Sequence, residues 1–213
     1  MSLVWSASRR YGLTPAPGGL GLVQDFLNTI RIQDYGPDLL ADVTRAQAWA
    51  ADAVRTWSAL RGGDAEPPSL NDGDLPKLRA LRDTIAKMVT GQRPDGRGIG
   101  AVAASFALSD TGQVRLEPAG SGWRWLASAL WSEILLSQHE DTWRRIKQCH
   151  SHHCGSAFYD RSKNNSGVWH NVKTCGNAEN LRASRARRRE RERAHKASRA
   201  DPSGDGPIPS AGD

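Results

Sequence analysis

All three cysteines of this 213-residue chain lie in one short stretch, in the pattern Cys149-x4-Cys154 and then, after fifteen residues, His170-x4-Cys175. A short interval lets one turn of chain present two ligands. A second short interval presents another pair after an excursion, and three thiolates with one imidazole make a complete tetrahedral set for Zn²⁺. The odd cysteine count argues against a disulfide framework. A module of about forty residues is too small to hold together on apolar burial alone, so metal binding is expected to be part of its folding. One structural Zn²⁺ per chain is therefore expected at Cys149, Cys154, His170 and Cys175.

Three other histidines, His150, His152 and His153, crowd the first pair. Each is a competing ligand, and His170 is preferred because it completes the second short interval. Four protein ligands close the metal, whereas a catalytic zinc keeps one position for water. The H-x-E and P-C-x-x-C arrangement of zinc deaminases is absent. No catalytic constellation emerges, and the chain is not expected to be an enzyme. The excursion from Phe158 to Trp169 is apolar or aromatic at its ends and turn-forming in the middle, which predicts a hairpin. With a helix starting behind Cys175, the module resembles a treble clef.

The charge is local. Residues 182–199 hold nine Arg or Lys and two Glu, a net of +7, against +6 for the whole chain. A basic patch on an otherwise near-neutral chain points to a polyanionic partner. The segment lacks the apolar stripe of a membrane-surface helix. Arg182, Arg185, Arg189 and Arg193 share one helical face, with Arg187, Arg188 and Arg191 on others. Within residues 182–199 Arg outnumbers Lys eight to one, and its planar fork suits phosphate and guanine. The expected partner is double-stranded DNA, contacted by Arg182, Arg185, Arg187, Arg188 and Arg189. Lys163, Asn164 and Asn165 add backbone contacts from the excursion tip. An RNA-binding or ribosome-associated protein is the alternative.

Ahead of the cysteines the chain reads as mainly α. Residues 1–17, ending in Pro15-Ala16-Pro17, look like a flexible tail. Apolar spacing predicts helices over Leu20–Ile32, Asp38–Leu60, a segment capped by Ser69 or Asn71 and running to Val89, and Trp123–Ser137. Val102–Leu108 and Gln113–Pro118 flank a turn and predict one β-hairpin. Gly91–Gly100 reads as a connector. The divisions are a tail (1–17), a helical domain (18–144), a zinc module with its basic helix (145–195) and a disordered Pro/Gly/Ser-rich tail (196–213). No signal peptide or ~20-residue apolar span is present. With metal-ready thiols, this places the protein in the cytoplasm.

At these motifs the sequence resembles the CGNR zinc-finger family of bacterial regulators, whose ending W-C-x4-C-G-N-R is matched by Trp169-His170-x4-Cys175-Gly176-Asn177. Two positions depart: His170 stands where the family usually has Cys, and Ala178 stands where the naming Arg would be. The N-terminal part is similar to the ABATE domain that precedes this finger. Its opening L-D-F-x-N-T appears as Gln24-Asp25-Phe26-Leu27-Asn28-Thr29. The resemblance implies a stress-linked transcription regulator whose N-terminal domain senses an effector.

Asp25, Asn28 and Arg82 are polar groups in apolar helices. They are expected either to cap and bridge helices, with Arg82 paired to one of the other two, or to bind a small effector. A homodimer is also compatible with this class of protein.

Overall fold

The computed structural model describes residues 4–31, 36–94 and 100–200, with side chains through residue 196. The predicted tail from 201 on, and part of the 91–100 connector, lie outside the described residues.

The centre of the fold is α2 (Leu20–Leu27), every residue of which is buried. A helix apolar nearly all round belongs inside a core. Three longer helices surround it: α3 (Val43–Leu60), α4 (Asp74–Val89) and α5 (Gly122–His139). Asp42 caps α3 by accepting from the Arg45 amide at 2.9 Å. Asp74 accepts from the amides of Asn71 and Trp123, so one carboxylate ties the start of α4 to the start of α5. Phe26, Trp49, Trp57, Leu78, Leu81, Leu126 and Leu130 fill the space between helices. Each buried aromatic removes ~150–250 Å² from water, a driving force on the order of 4–6 kcal/mol before entropy is counted.

The tail expectation fails for residues 4–17. They form a short α1 (Ser6–Arg9) and a return loop, with Trp5, Ala7, Tyr11 and Ala16 buried. Two features of α2 hold them. The Asp25 carboxylate accepts from the Ser8 amide at 2.7 Å and the Ala7 amide at 3.4 Å. Gly21 leaves room for the Trp5 ring, which a Cβ there would meet at 2.7 Å.

The first predicted helix is also shorter than its apolar spacing suggests. It ends at Leu27 because Asn28 and Thr29 turn their side chains to other work. The predicted hairpin forms as β1 (Ala104–Leu108) and β2 (Val114–Pro118), with Phe106 opposite Leu116 and Leu108 opposite Val114.

The second sheet differs from expectation. Strands β3 (Ile146–Gln148) and β4 (Ala157–Tyr159) pair across the first cysteine interval. The excursion from Phe158 to Trp169 is not a hairpin of its own. A lysine folds it instead: Lys147 Nζ reaches Asp160 Oδ2 at 2.8 Å, the Asn165 carbonyl at 2.6 Å and the Gly167 carbonyl at 3.1 Å.

The core also crosses the boundary expected at 144/145. Ile146 and Ala157 belong to the helical core, while Cys149, Phe158 and Cys175 form a second, smaller one. The last helix, α6 (Asn177–Ala200), follows a wide turn at Val172–Gly176 and carries the basic run, continuing through residues expected to be disordered.

Candidate metal centre

The β3–β4 hairpin shapes the first ligand pair. The Cys149 amide donates to the Ser156 carbonyl at 2.8 Å, and the Cys154 amide donates to the Ser151 carbonyl at 3.0 Å. Gly155 lies at φ +66°, the left-handed conformation that lets the turn close. The second pair comes from the chain beside it, held by His150 N–H to the Val168 carbonyl at 3.0 Å. Asn171 Oδ1 then accepts from the amides of Lys173 and Thr174, starting the turn that delivers Cys175. Gly176 sits under Trp169, where a Cβ would meet the ring at 3.2 Å. Trp169 is therefore packing for the module.

These turns bring Cys149, Cys154, His170 and Cys175 together, with all four ligand atoms within 4.8 Å of one another. His170 presents Nδ1, 3.3 Å from Cys154 Sγ and 3.6 Å from Cys175 Sγ. A tetrahedron with ordinary Zn–S and Zn–N bonds has edges of roughly 3.5–3.8 Å; the two His170 distances lie near these edges, and the chemistry of the donor set fits that ion. Cys149 and Cys175 are buried and the other two half-buried. His150, His152 and His153 stay outside the cluster, exposed on the knuckle.

The electrostatics point the same way. Hydrogen bonds from Cys149, and then from His170 and Ser156, lower the Cys154 thiol to about 3 against the opposing effect of burial. Cys149 moves the other way, because its S–H donates a hydrogen bond to the Cys154 sulfur and so holds its proton, and because it is buried. A divalent cation held among the sulfurs would supply positive charge and favour their thiolate forms.

Outside the cluster, Glu179 in the first turn of α6 accepts from the His152 amide at 2.8 Å and the Ser151 hydroxyl at 3.2 Å. It ties the basic helix to the knuckle. The His152 amide, ahead of burial and the other contacts, holds its carboxyl below the usual range. Sequence reasoning missed Glu179, Lys147, Asp160 and Asn171. The available signals were an acid in a helix's first turn and an Asp two residues before a Ser.

The candidate nucleic-acid residues separate into two groups. Arg182, Arg185, Arg187, Arg188 and Arg189 are exposed on α6, with Arg188 paired to Glu192 at 2.8 Å. Lys163 and Asn164 are exposed on the loop. Asn165 is turned inward, its Nδ2 donating to the Arg144 carbonyl at 3.1 Å.

Asp25, Asn28 and Arg82 bond to the chain's own groups. Asp25 also accepts from Trp49 Nε1 at 2.9 Å; burial pushes its carboxyl up against these donors. Asn28 bonds both backbone groups of Ala157. Arg82 pairs with neither: it forms a two-pronged ion pair with Asp38 at 2.8 and 2.7 Å and donates to Thr29 at 3.0 Å. Asp38 opened the helix predicted over Asp38–Leu60, which begins only at Val43, and its partner lies 44 positions along the chain, so the pair left no local signal.

The fold and site define a helical domain joined to a four-donor metal module that launches a basic helix. The chain belongs to the ABATE family, described as putative stress-induced transcription regulator, whose sequence model matches residues 20–147. The CGNR zinc-finger model matches residues 145–188, which contain all four ligands. A search of curated proteins returned no match.

Proposed function

We propose that this protein is a zinc-dependent, DNA-binding transcription regulator, with one structural Zn²⁺ held by Cys149, Cys154, His170 and Cys175. The observation that carries this reading is the placement of α6. It begins two residues after the last ligand and runs for 24 residues, about 36 Å, with its arginines from Arg182 to Arg193 exposed. The metal cluster and Glu179 fix one end of this cationic rod, and the rest is free to lie along phosphates. The metal supplies folding energy to the module, not a reactive water, because four protein donors enclose it.

The family implies an effector, and room for one lies beside the knuckle. A cleft of about 640 Å³ is lined by Ile30, Arg31, Val89, Gln148 and His150. It sits where the helical domain meets the metal module, a favoured position for small-molecule sites. Asp25, Asn28 and Arg82 are engaged elsewhere and are not part of this reading.

The rival is RNA binding. Readers of single-stranded RNA expose aromatic rings for base stacking. Here Phe158 and Trp169 pack in the small core, and Tyr159 packs against the large one. This supports duplex DNA. Recovery of the nucleic acids bound to the protein in its native cell tests the choice. Discrete duplex sites near promoters are expected; enrichment of structured RNA without DNA sites would overturn it.

A further inference from the structure

We infer that the apolar face of the β1–β2 hairpin is a two-fold contact between copies of this chain. Phe106 is 78% exposed, Leu108 73% and Val114 69%, and Leu135 on the neighbouring α5 is 59% exposed. Cross-strand partners share a face of a sheet. Phe106 opposite Leu116 and Leu108 opposite Val114 therefore put four large apolar side chains on one side. A contiguous patch of this kind on a folded chain marks a binding surface, unlike scattered single residues.

The hairpin leans towards α5 without sealing against it. A groove of about 240 Å³ remains, lined by Phe106, Leu116, Trp131 and Leu135.

The charge pattern of the hairpin favours a second copy as the occupant. The face is Ala104, Phe106, Leu108, Val114, Leu116 and Pro118, none of them charged. A two-fold contact places a patch against itself, so any net charge on it would repel its own image. The charged residues of the two strands, Arg115 and Glu117, alternate onto the opposite face.

The area is also sufficient. The four most exposed side chains present about 500 Å², against roughly 800 Å² per partner in a standard interface that is about 60% apolar.

Dimerisation through this face does not depend on DNA or RNA binding. Sedimentation equilibrium on the full zinc-loaded chain, without nucleic acid, provides the test. The expected result is a species of twice the 23.2 kDa chain mass, dissociating in the micromolar range. Phe106→Asp and Leu135→Lys should each raise the dissociation constant by at least about 100-fold. Because both side chains are exposed, thermal unfolding and metal content should stay as in the wild type. A wild-type chain that remains monomeric at about 100 µM would overturn the inference and leave the face to a different protein. A dimer that survives both substitutions would place the contact elsewhere. Assembly growing beyond two copies would replace the closed two-fold contact with open edge pairing.

Discussion

Asn28 exchanges both hydrogen bonds of a backbone pair with Ala157, 129 positions away: its Nδ2 donates to the Ala157 carbonyl and its Oδ1 accepts from the Ala157 amide, each at 2.9 Å. A side-chain amide at the end of α2 thus stands in for a strand beside β4. This pair seats the metal module on the helical domain. Asn28→Leu would bury a bare donor and a bare acceptor, at a cost of roughly 1–3 kcal/mol for each. The expected outcome is a thermal midpoint lowered by several degrees. Hydrogen exchange should also be faster at the Ala157 amide than in α4 or α5. Unchanged exchange there would show that the pair contributes nothing to docking.

Cys175→Ser should lose the metal and unfold residues 149–195, while most helical circular dichroism from the N-terminal domain remains. Metal analysis of protein purified without added zinc should give about one equivalent for the wild type. Full retention in the variant would reject Cys175 as a ligand. A His170→Ala variant that keeps its metal beside a His152→Ala variant that loses it would move only the fourth ligand.

The pH dependence of the loop follows from Asp160, which is 3% exposed. Burial opposes its ionisation, yet Lys147 and the amides of Ser162 and Gly167 outweigh that and hold its carboxyl well below the ordinary value of 3.8. A depressed carboxyl stabilises the fold at pH above the unfolded value. That stabilisation is lost as pH falls from 3.8 through the folded value. Asp160→Asn, which leaves the half-buried Lys147 without a counter-charge, should cost on the order of 2 kcal/mol at pH 7. The gap between variant and wild type should hold constant down to about pH 5 and narrow in stronger acid. A gap independent of pH down to about 2 would mean that the carboxylate charge is not what matters.

Glu179→Ala should keep the metal but release the first turn of α6. Hydrogen exchange should accelerate over residues 177–182, and DNA affinity should fall even though no cation has been removed. Wild-type affinity in this variant would show that the knuckle does not aim the helix.

Roughly six of the nine cations in residues 182–199 could meet phosphates at once, so log K against log salt should slope at about −5 on duplex DNA. Arg185→Ala, Arg188→Ala and Arg189→Ala together should flatten it by up to about three units, on specific and random sequences alike. A loss confined to one sequence would mean that these arginines read bases.

The four-donor cluster was legible because ligand chemistry fixes both residue type and interval. Cys149, Cys154, His170 and Cys175 need only the correct spacing to be found. The helices were legible from their apolar periodicity, although Asn28 ended α2 early through a partner far along the chain. The packing of residues 4–17 was hidden for the same reason. Trp5 requires Gly21 and Ser8 requires Asp25, and neither relation leaves a local pattern around Pro15 and Pro17. In the module, Lys147 gathers one carboxylate and two carbonyls of a loop that composition alone presents as a turn. Glu179 looks like any surface acid until the knuckle amides are placed beside it.

The seam between Asn28 and Ala157 also sets a timetable for synthesis. A ribosome releases α2 well over a hundred residues before β4 exists to meet it. Until then the nascent helical bundle holds an open slot, with the Asn28 amide lacking its native partner and the Ala157 position in the core unfilled. Long-range closures of this kind come late and slowly. The helical half therefore completes its native packing only as the cysteine turn is made, and a metal bound by that turn would join the chain at the same moment.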